Sequence, residues 1–547
     1  MLNATKRHLP LVAAPSHAQE FEPLVLPSKP FAPADMPLLP INTAELANRN
    51  AFRTSSYVIY VDLPGVPDEM LLVHGYTGAY DRVSKRIATY LRAMESKHAP
   101  KPLYGDWTSA PTVEGNVEAP SDESISVLKR RGYLVPLSLE EEEGLFSRIV
   151  AQHHLTTLRR SPSYILMPTY QCNLRCHYCF QDHMRTNPEY SHLLRMMDRP
   201  MIDRIIRGMK QIDQAHGVNA AMTRNVTFFG GEPLLAELRP TIEYMLDSIV
   251  ALGKTRFFAV TNATDLHVYR DLLSSSRISM LQITLDGPPD EHDKRRIYPD
   301  GKGSFSQIAD NITMALECGV QVSVRMNVDS KNIHHLPRLA EEFITRGWTK
   351  FKTFAPYAVR VAPTEKMAAK ECLTSWQLTR ALDALENEFP NLSKIAGTDD
   401  SLQAQARATF DHVGQGSAPM HSSYCGAHTG MYVIDAFADI YACWERTGDP
   451  DLRIGHIAES GDVLMNKALL HKWRGRNAVS NPVCRKCRYA ASCGGGCAVG
   501  AEEVSGDSYN NFCDGYANRF RASVAKAYLE FQRGERTEVN TMRLCDA

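Results

Sequence analysis

Cys172-Asn173-Leu174-Arg175-Cys176-His177-Tyr178-Cys179 follows directly on an apolar run at residues 164–169. Three thiols separated by three and then two residues can grip one metal centre. In a four-iron cluster, three thiolates leave one iron open to an outside ligand. A zinc ion would need a fourth local ligand, which His177 or His183 would supply. The preceding run reads as a strand, so the thiols stand at a strand's C-terminal end, where ligands collect in α/β sheets.

Working outward from this motif, short apolar runs alternate with helix-length segments from residue 163 to 389. Strands are predicted at 164–169, 226–229, 257–261, 280–285, 320–328 and 351–357, a pattern that implies a parallel sheet with helices outside. Six βα units predict an open, incomplete barrel whose ligand lies where the βα loops converge. The second strand ends in Phe229-Gly230-Gly231-Glu232-Pro233, where paired glycines permit close backbone approach. Alone, that segment is an ordinary strand-to-helix turn. The third strand ends in Thr261-Asn262-Ala263-Thr264 and the fourth in Leu285-Asp286-Gly287-Pro288, where Asp286 either faces the site or caps the turn. Arg325 and Asn327 alternate on the fifth strand so as to point into the barrel, where Arg325 pairs with a ligand carboxylate or with an internal acid.

The chain has 13 cysteines, and ten fall into two groups. Close thiol spacing in a reduced compartment points to metal or redox chemistry rather than disulfides. The second group is Cys425 and Cys443, then Cys484-x2-Cys487-x5-Cys493-x3-Cys497, then Cys513. One zinc ribbon would use four of these seven thiols, whereas two four-iron clusters employ all of them. Residues 425–515 have little helix or strand periodicity, so metal rather than an apolar core is expected to hold them. Lys plus Arg (61) balance Asp plus Glu (62), with no long basic run, which argues against nucleic acid as a partner. No apolar stretch is long enough to cross a bilayer; the patch at 9–14 is broken by Pro10, and Ser16-His17-Ala18 only weakly imitates a cleavage site. The reading is a soluble, cytoplasmic protein with no membrane partner.

Residues 1–50 carry six prolines between Pro23 and Pro40 and read as an extended lead-in. Residues 51–155 read as a small α+β domain. It has a hairpin (57–61 and 70–73) around Pro64-Gly65, a helix at 83–94, a proline-containing stretch at 100–120 and a helix at 125–133. Ser138 and Glu141 then form a capping box that opens a third helix. The barrel is expected over 160–395, the cysteine-rich domain over 420–515, and a closing helix and polar tail over 516–547.

On these residues the chain resembles the radical S-adenosylmethionine (radical SAM) superfamily, whose signature is this cysteine spacing after the first barrel strand. The seven later cysteines are similar to those of the SPASM domain, an auxiliary-cluster module of enzymes that modify peptides and proteins. The resemblance implies an α/β fold: a partial (β/α)6 TIM-like barrel, a C-terminal SPASM domain, and a small winged-helix-like N-terminal domain. It implies a catalytic 4Fe-4S cluster on Cys172, Cys176 and Cys179. S-adenosyl-L-methionine would be contacted by Tyr178, Gly230, Gly231, Glu232, Pro233, Asn262 and Arg325, with Glu232 and the glycine backbone receiving its ammonium and Asp286 as a catalytic group. It further implies a first auxiliary 4Fe-4S cluster on Cys425, Cys443 and Cys497, and a second on Cys484, Cys487, Cys493 and Cys513, three clusters in all. The first auxiliary cluster lacks an evident fourth cysteine, leaving an open iron, His428 or a distant thiol; Cys318, Cys372 and Cys545 are unassigned.

The implied activity is reductive cleavage of S-adenosylmethionine to a 5′-deoxyadenosyl radical that modifies a precursor peptide or protein, with flavodoxin or ferredoxin as reductant. Two departures from the family pattern stand out. Ala438 replaces a usual glycine, and Trp444 stands where sulfatase-maturing relatives carry an aspartate, which favours peptide maturation over sulfatase maturation. The N-terminal domain is similar in outline to elements that bind a leader peptide by strand addition, a structural cap being the alternative. The competing class is a non-catalytic zinc-binding or electron-transfer module.

Overall fold

Strand-forming residues gather into three sheets in the computed structural model, which describes residues 20–29, 49, 51–95, 117–363, 369–394, 397–398, 401–411 and 420–533. Most of the 1–50 lead-in, most of the proline-containing stretch, Cys545 and the polar tail lie outside the described residues. Part of the lead-in is a strand: β1 (Phe21–Pro23) pairs antiparallel with Val463–Asn466, and the Phe21 ring meets His456 edge-on at 4.8 Å.

The N-terminal region comprises β2 (Arg53–Thr54) and the antiparallel set β3 (Val58–Asp62), β4 (Glu69–His74) and β5 (Tyr80–Ser84). Then come the helices Lys85–Ala93 and Asp122–Arg130, and β6 (Leu134–Val135), which pairs with β2. The helix expected at 83–94 starts later because residues 80–84 pair with β4, and the Ser84 side chain then caps the helix by accepting from Ile87 N. The capping box is present: Glu141 N donates to Ser138 Oγ (3.1 Å) and Ser138 N to Glu141 Oε2 (2.7 Å), opening the helix Leu139–Leu158.

The barrel strands are β7 (Ser163–Leu166), β8 (Arg224–Phe228), β9 (Thr255–Thr261), β10 (Ile278–Thr284), β11 (Gln321–Val328) and β12 (Phe354–Arg360). Each pairs parallel with the next, and β13 (Gly397–Thr398) adds to β12 in the same sense. The first crossover helix, Arg199–Ala215, begins where Asp198 accepts from Met201 N at 2.9 Å. Its Ile202, Ile205, Met209 and Ile212 recur at helical spacing and are buried in one core with Val226 and Phe228 of β8. Each such side chain contributes roughly 1.5–3 kcal/mol by leaving water.

The cysteine-rich region departs from the expectation of a metal-held segment without strands. β14 (Met431–Ile434), β15 (Asp439–Tyr441), β16 (Gly455–Ile457) and β17 (Val463–Asn466) form an antiparallel meander. β14 lies parallel beside β7, so a single 12-stranded sheet runs through both the barrel and the cysteine-rich region. These strands of three or four residues, β14 buried throughout, give no alternation for a periodicity reading to detect.

The β14–β15 turn rests on Asp435, whose Oδ1 accepts from Phe437 N (2.9 Å) and Asp439 N (3.1 Å) and whose Oδ2 accepts from Tyr170 OH (2.9 Å). Ala438 closes it at φ 60°, the left-handed region that costs an L side chain about 1 kcal/mol and where glycine is the easier choice. Burial, with Asp439 adding to it, pushes the Asp435 carboxyl up to about 7. The unfolded chain releases this proton near pH 4. Between those values the folded state holds the extra proton, and its stability falls as pH rises. Asparagine would keep both accepted N–H bonds and donate to the Tyr170 oxygen without carrying a charge. Asp435→Asn is therefore expected to exceed the parent by about 1–2 kcal/mol above pH 7 in denaturant titrations, with the difference vanishing near pH 4.

Among the described residues no helix is long and apolar enough to cross a membrane.

Candidate functional site

The loop after β7 carries Cys172, Cys176 and Cys179, Cys176 buried and the other two half-buried. Backbone bonds shape it: Leu174 N reaches the Cys172 sulfur at 3.4 Å, Cys179 N donates to Cys176 O at 3.0 Å, and Arg175 N to Ile297 O at 2.7 Å. Side-chain donors also aim at the sulfurs. Arg185 Nη2 lies 3.1 Å from Cys179 Sγ and Asn262 Nδ2 3.7 Å from Cys172 Sγ. Burial pushes the Cys176 thiol up to about 12, and the Cys172 thiol up as well. A bound metal would reverse this by deprotonating the thiols outright. Among the described residues no three His, Cys, Asp or Glu side chains converge tightly enough to hold a single metal ion. His177 and His183 instead pack edge-on against Tyr178 (5.3 Å) and Tyr190 (5.0 Å).

Gly230 and Gly231 make their close approach to the protein's own cysteine loop. Gly231 N donates to Thr169 O (3.1 Å) and Glu232 N to Gln171 O (2.7 Å), just ahead of Cys172. A Cβ on Gly230 would fall within 3.0 Å of Thr169 O, and one on Gly231 within 3.0 Å of both Tyr170 O and Gln171 O. Glu232 is bonded within the protein through both carboxylate oxygens. Its Oε1 accepts from Leu234 N (2.9 Å) and Thr261 Oγ1 (2.6 Å), and its Oε2 from Asn262 N (2.5 Å). Burial pushes this carboxyl up to about 7. Both its oxygens tie the β8 loop to the end of β9, with Pro233 opening the turn between. Asn262 accepts from Thr264 N (2.9 Å) and Oγ1 (2.8 Å) and donates to Asn173 Oδ1 (2.8 Å), locking the end of β9 to the cysteine loop.

Asp286 is fully buried, accepting from Tyr178 OH and from Asn327 N (3.1 Å), with Arg295 Nε at 3.7 Å. Burial alone would raise its carboxyl; Arg295 and Arg296 overcome this and hold it below the usual carboxylate range. Arg296 Nη1 (2.8 Å) and Asn327 Nδ2 (3.2 Å) also donate to the Tyr178 oxygen, and Arg295 lies over the Tyr178 ring at 5.3 Å. Asp286 is thus bonded to Tyr178 and to the backbone of β11. Arg325 donates to Asn327 Oδ1 at 2.9 Å, and among the described residues it pairs with no carboxylate, so the internal ion pair expected as its alternative is absent there. Arg185, Arg295 and Arg296 were invisible in the sequence because nothing in their spacing distinguishes them from surface arginines.

The seven later cysteines fall into two sets. Cys425 precedes and Cys443 follows the β14–β15 hairpin, which returns both to one end, and they reach Cys497 there. Burial raises the Cys443 thiol far above its ordinary value, with Glu445, Cys425 and Cys497 adding to it. Cys484, Cys487, Cys493 and Cys513 line a separate cavity of about 440 Å³, counted out to its mouth, with Tyr489 and Tyr516 on its walls. Asn511 Nδ2 donates to the Cys513 sulfur at 3.2 Å. His428 is not placed to serve as a ligand: Nδ1 bonds Trp473 O (3.0 Å) and Nε2 faces Arg476 Nη1 (3.4 Å). Cys318 caps the helix Phe305–Glu317 and packs on the barrel core, and Cys372 follows the turn Ala369–Glu371. Trp444 lies beside Phe229, with ring centroids 6.1 Å apart.

An open parallel barrel with three thiols on its first βα loop defines the class, and residues 166–343 match the model of the Radical SAM superfamily. Residues 166–343 are thus a radical SAM domain, and the chain is similar to sulfatase-maturating enzymes. It is 24% identical to a cysteine-type anaerobic sulfatase-maturating enzyme of Clostridium novyi (strain NT), over 67% of this chain and 96% of that one. It is also 24% identical to a serine-type anaerobic sulfatase-maturating enzyme of Bacteroides thetaiotaomicron, over 66% of this chain and 89% of that one. In structure it is similar to anSMEcpe with bound AdoMet, at a TM-score of 0.50 and 18% identity, covering 69% of this chain and 96% of that chain.

Proposed function

We propose that this enzyme modifies a peptide or protein substrate, using one catalytic 4Fe-4S cluster on Cys172, Cys176 and Cys179 and two auxiliary clusters in a SPASM domain. The observation that carries the reading is the buttressed three-thiol loop at the barrel mouth, accompanied by seven thiols in a set of three and a set of four. When bound, the catalytic cluster and S-adenosylmethionine supply a 5′-deoxyadenosyl radical able to take hydrogen from an unactivated carbon. The residues of this chain do the rest. Arg185 and Asn262 direct donors at the sulfurs, Asp286 and Arg296 fix Tyr178 beside the cluster loop, and Arg325 offers its guanidinium to the cofactor carboxylate. Glu232, with Gly230 and Gly231, sets the distance between the β8 and cysteine loops. Burial of Cys176 and the packing of Trp444 against Phe229 keep water from the interior of the site.

Cys425, Cys443 and Cys497 would hold the first auxiliary cluster, and Cys484, Cys487, Cys493 and Cys513 the second. The strand β5 lies at the edge of the N-terminal sheet and suits addition of a leader-peptide strand. A cytoplasmic setting with reduced flavodoxin or ferredoxin as electron donor fits the chemistry, with neither nucleic acid nor membrane as partner.

Sulfatase maturation is the second reading, favoured by the names of the relatives and opposed by Trp444 after Cys443. Anaerobically reconstituted protein is expected to bind about twelve irons per chain and to release 5′-deoxyadenosine with dithionite and S-adenosylmethionine. Incubation with a candidate precursor peptide and with a sulfatase-derived peptide, followed by mass spectrometry, separates the two readings. Colourless protein carrying zinc would overturn both.

A further inference from the structure

Arg476 bonds the backbone that joins the two sets of auxiliary cysteines and is only 3% exposed. Its Nε donates to Ser508 O (2.6 Å), Nη1 to Gly496 O (2.8 Å) and toward His428 Nε2 (3.4 Å), and Nη2 to Gly495 O and Asn510 O (both 3.1 Å). Among the described residues no carboxylate pairs with it. Taking a guanidinium out of water without an anion costs several kcal/mol, and carbonyl oxygens offset only part of that. Burial draws its pKa down, and the groups opposing this are the cysteines Cys484, Cys497, Cys425 and Cys493, two from each set.

The link between the sets is Cys493-Gly494-Gly495-Gly496-Cys497, which joins a thiol of the four-cysteine set to one of the three-cysteine set. All three glycines are left-handed (φ 69°, 90° and 78°). A Cβ on Gly494 would strike the Ser423 backbone, and one on Gly496 the Phe512 carbonyl, within 3.0 Å. This backbone turns the carbonyls of Gly495 and Gly496 onto the guanidinium. One side chain therefore fastens the tether and places a positive charge beside both sets.

We propose that Arg476 is the shared counter-charge of two auxiliary iron–sulfur centres, offsetting the negative charge of both thiolate-bound clusters and raising their reduction potentials together. The inference rests on reading the seven thiols as two clusters. Reduction adds negative charge, so a nearby cation favours the reduced form of each cluster.

The test uses the full-length chain with Cys172, Cys176 and Cys179 replaced by alanine, so that only auxiliary clusters contribute to the electron paramagnetic resonance spectrum. Arg476→Gln in this background is expected to keep about eight irons and to lower both midpoints by about tenfold in the reduction equilibrium, about 59 mV for a one-electron couple. Arg476→Lys, which keeps the charge but loses the fork, is expected to stay within about threefold at both. Unchanged midpoints in an iron-replete Arg476→Gln protein, or a shift at one cluster alone, would overturn the assignment and leave the two-cluster reading standing. Should Arg476→Gln fail to take up iron, a tenfold fall in Arg476→Lys overturns it instead. Absence of the eight irons when Arg476 is intact would remove the two-cluster reading, and the assignment with it.

Discussion

Cys176→Ala is expected to lower 5′-deoxyadenosine release by at least about a thousandfold, a loss of about 4 kcal/mol in transition-state terms, measured by chromatography after anaerobic incubation with dithionite and S-adenosylmethionine. Cys176 is the buried member of the three barrel thiols. It sits at the turn where Cys179 N donates to Cys176 O, and its sulfur faces the charge of Arg296. Alanine leaves two thiols, too few to hold the cluster, while the loop's backbone bonds persist. The variant should therefore fold normally and keep the irons of the two C-terminal cysteine sets. Undiminished cofactor cleavage would show that the three-thiol loop is not where the reaction begins.

Gly231→Ala is expected to cost at least about 3 kcal/mol in a denaturant titration and to remove the iron of the barrel centre selectively. The obstacle to a methyl group there is backbone, the carbonyl oxygens of Tyr170 and Gln171, which cannot rotate aside as a side chain can. Relief requires the β8 loop to back away, breaking the bonds from Gly231 N to Thr169 O and from Glu232 N to Gln171 O. Those bonds position the residue just before Cys172. Iron content falling from about twelve to about eight per chain would mark this coupling; full iron with unaltered stability would mean the two loops are not held together in this way.

The barrel was legible in the sequence because six well-separated apolar runs alternate with amphipathic helices, and period alone distinguishes these. The short meander β14–β17 was not, since three or four buried residues carry no period, and neither was its pairing with β7, a contact between segments more than 250 residues apart. Cysteine spacing singled out ten candidate ligands. It could not reveal that Gly230 and Gly231 pack against the backbone of Thr169 and Gln171. Nor could it show that Asp286 is engaged by Tyr178, which comes from another loop, and by Arg295 and Arg296 at the end of the helix that follows it. Ala438 shows the reverse case: a residue that departs from the expected glycine yet occupies the left-handed conformation that glycine would favour.

Electron–nuclear double resonance on the reduced barrel cluster, with S-adenosylmethionine labelled at its amino nitrogen, probes the vacant iron directly. Hyperfine coupling to the labelled nitrogen is the predicted result, because three thiolates leave one iron for the cofactor to chelate. Coupling to a histidine nitrogen of the protein in its place, with none from the label, would contradict it.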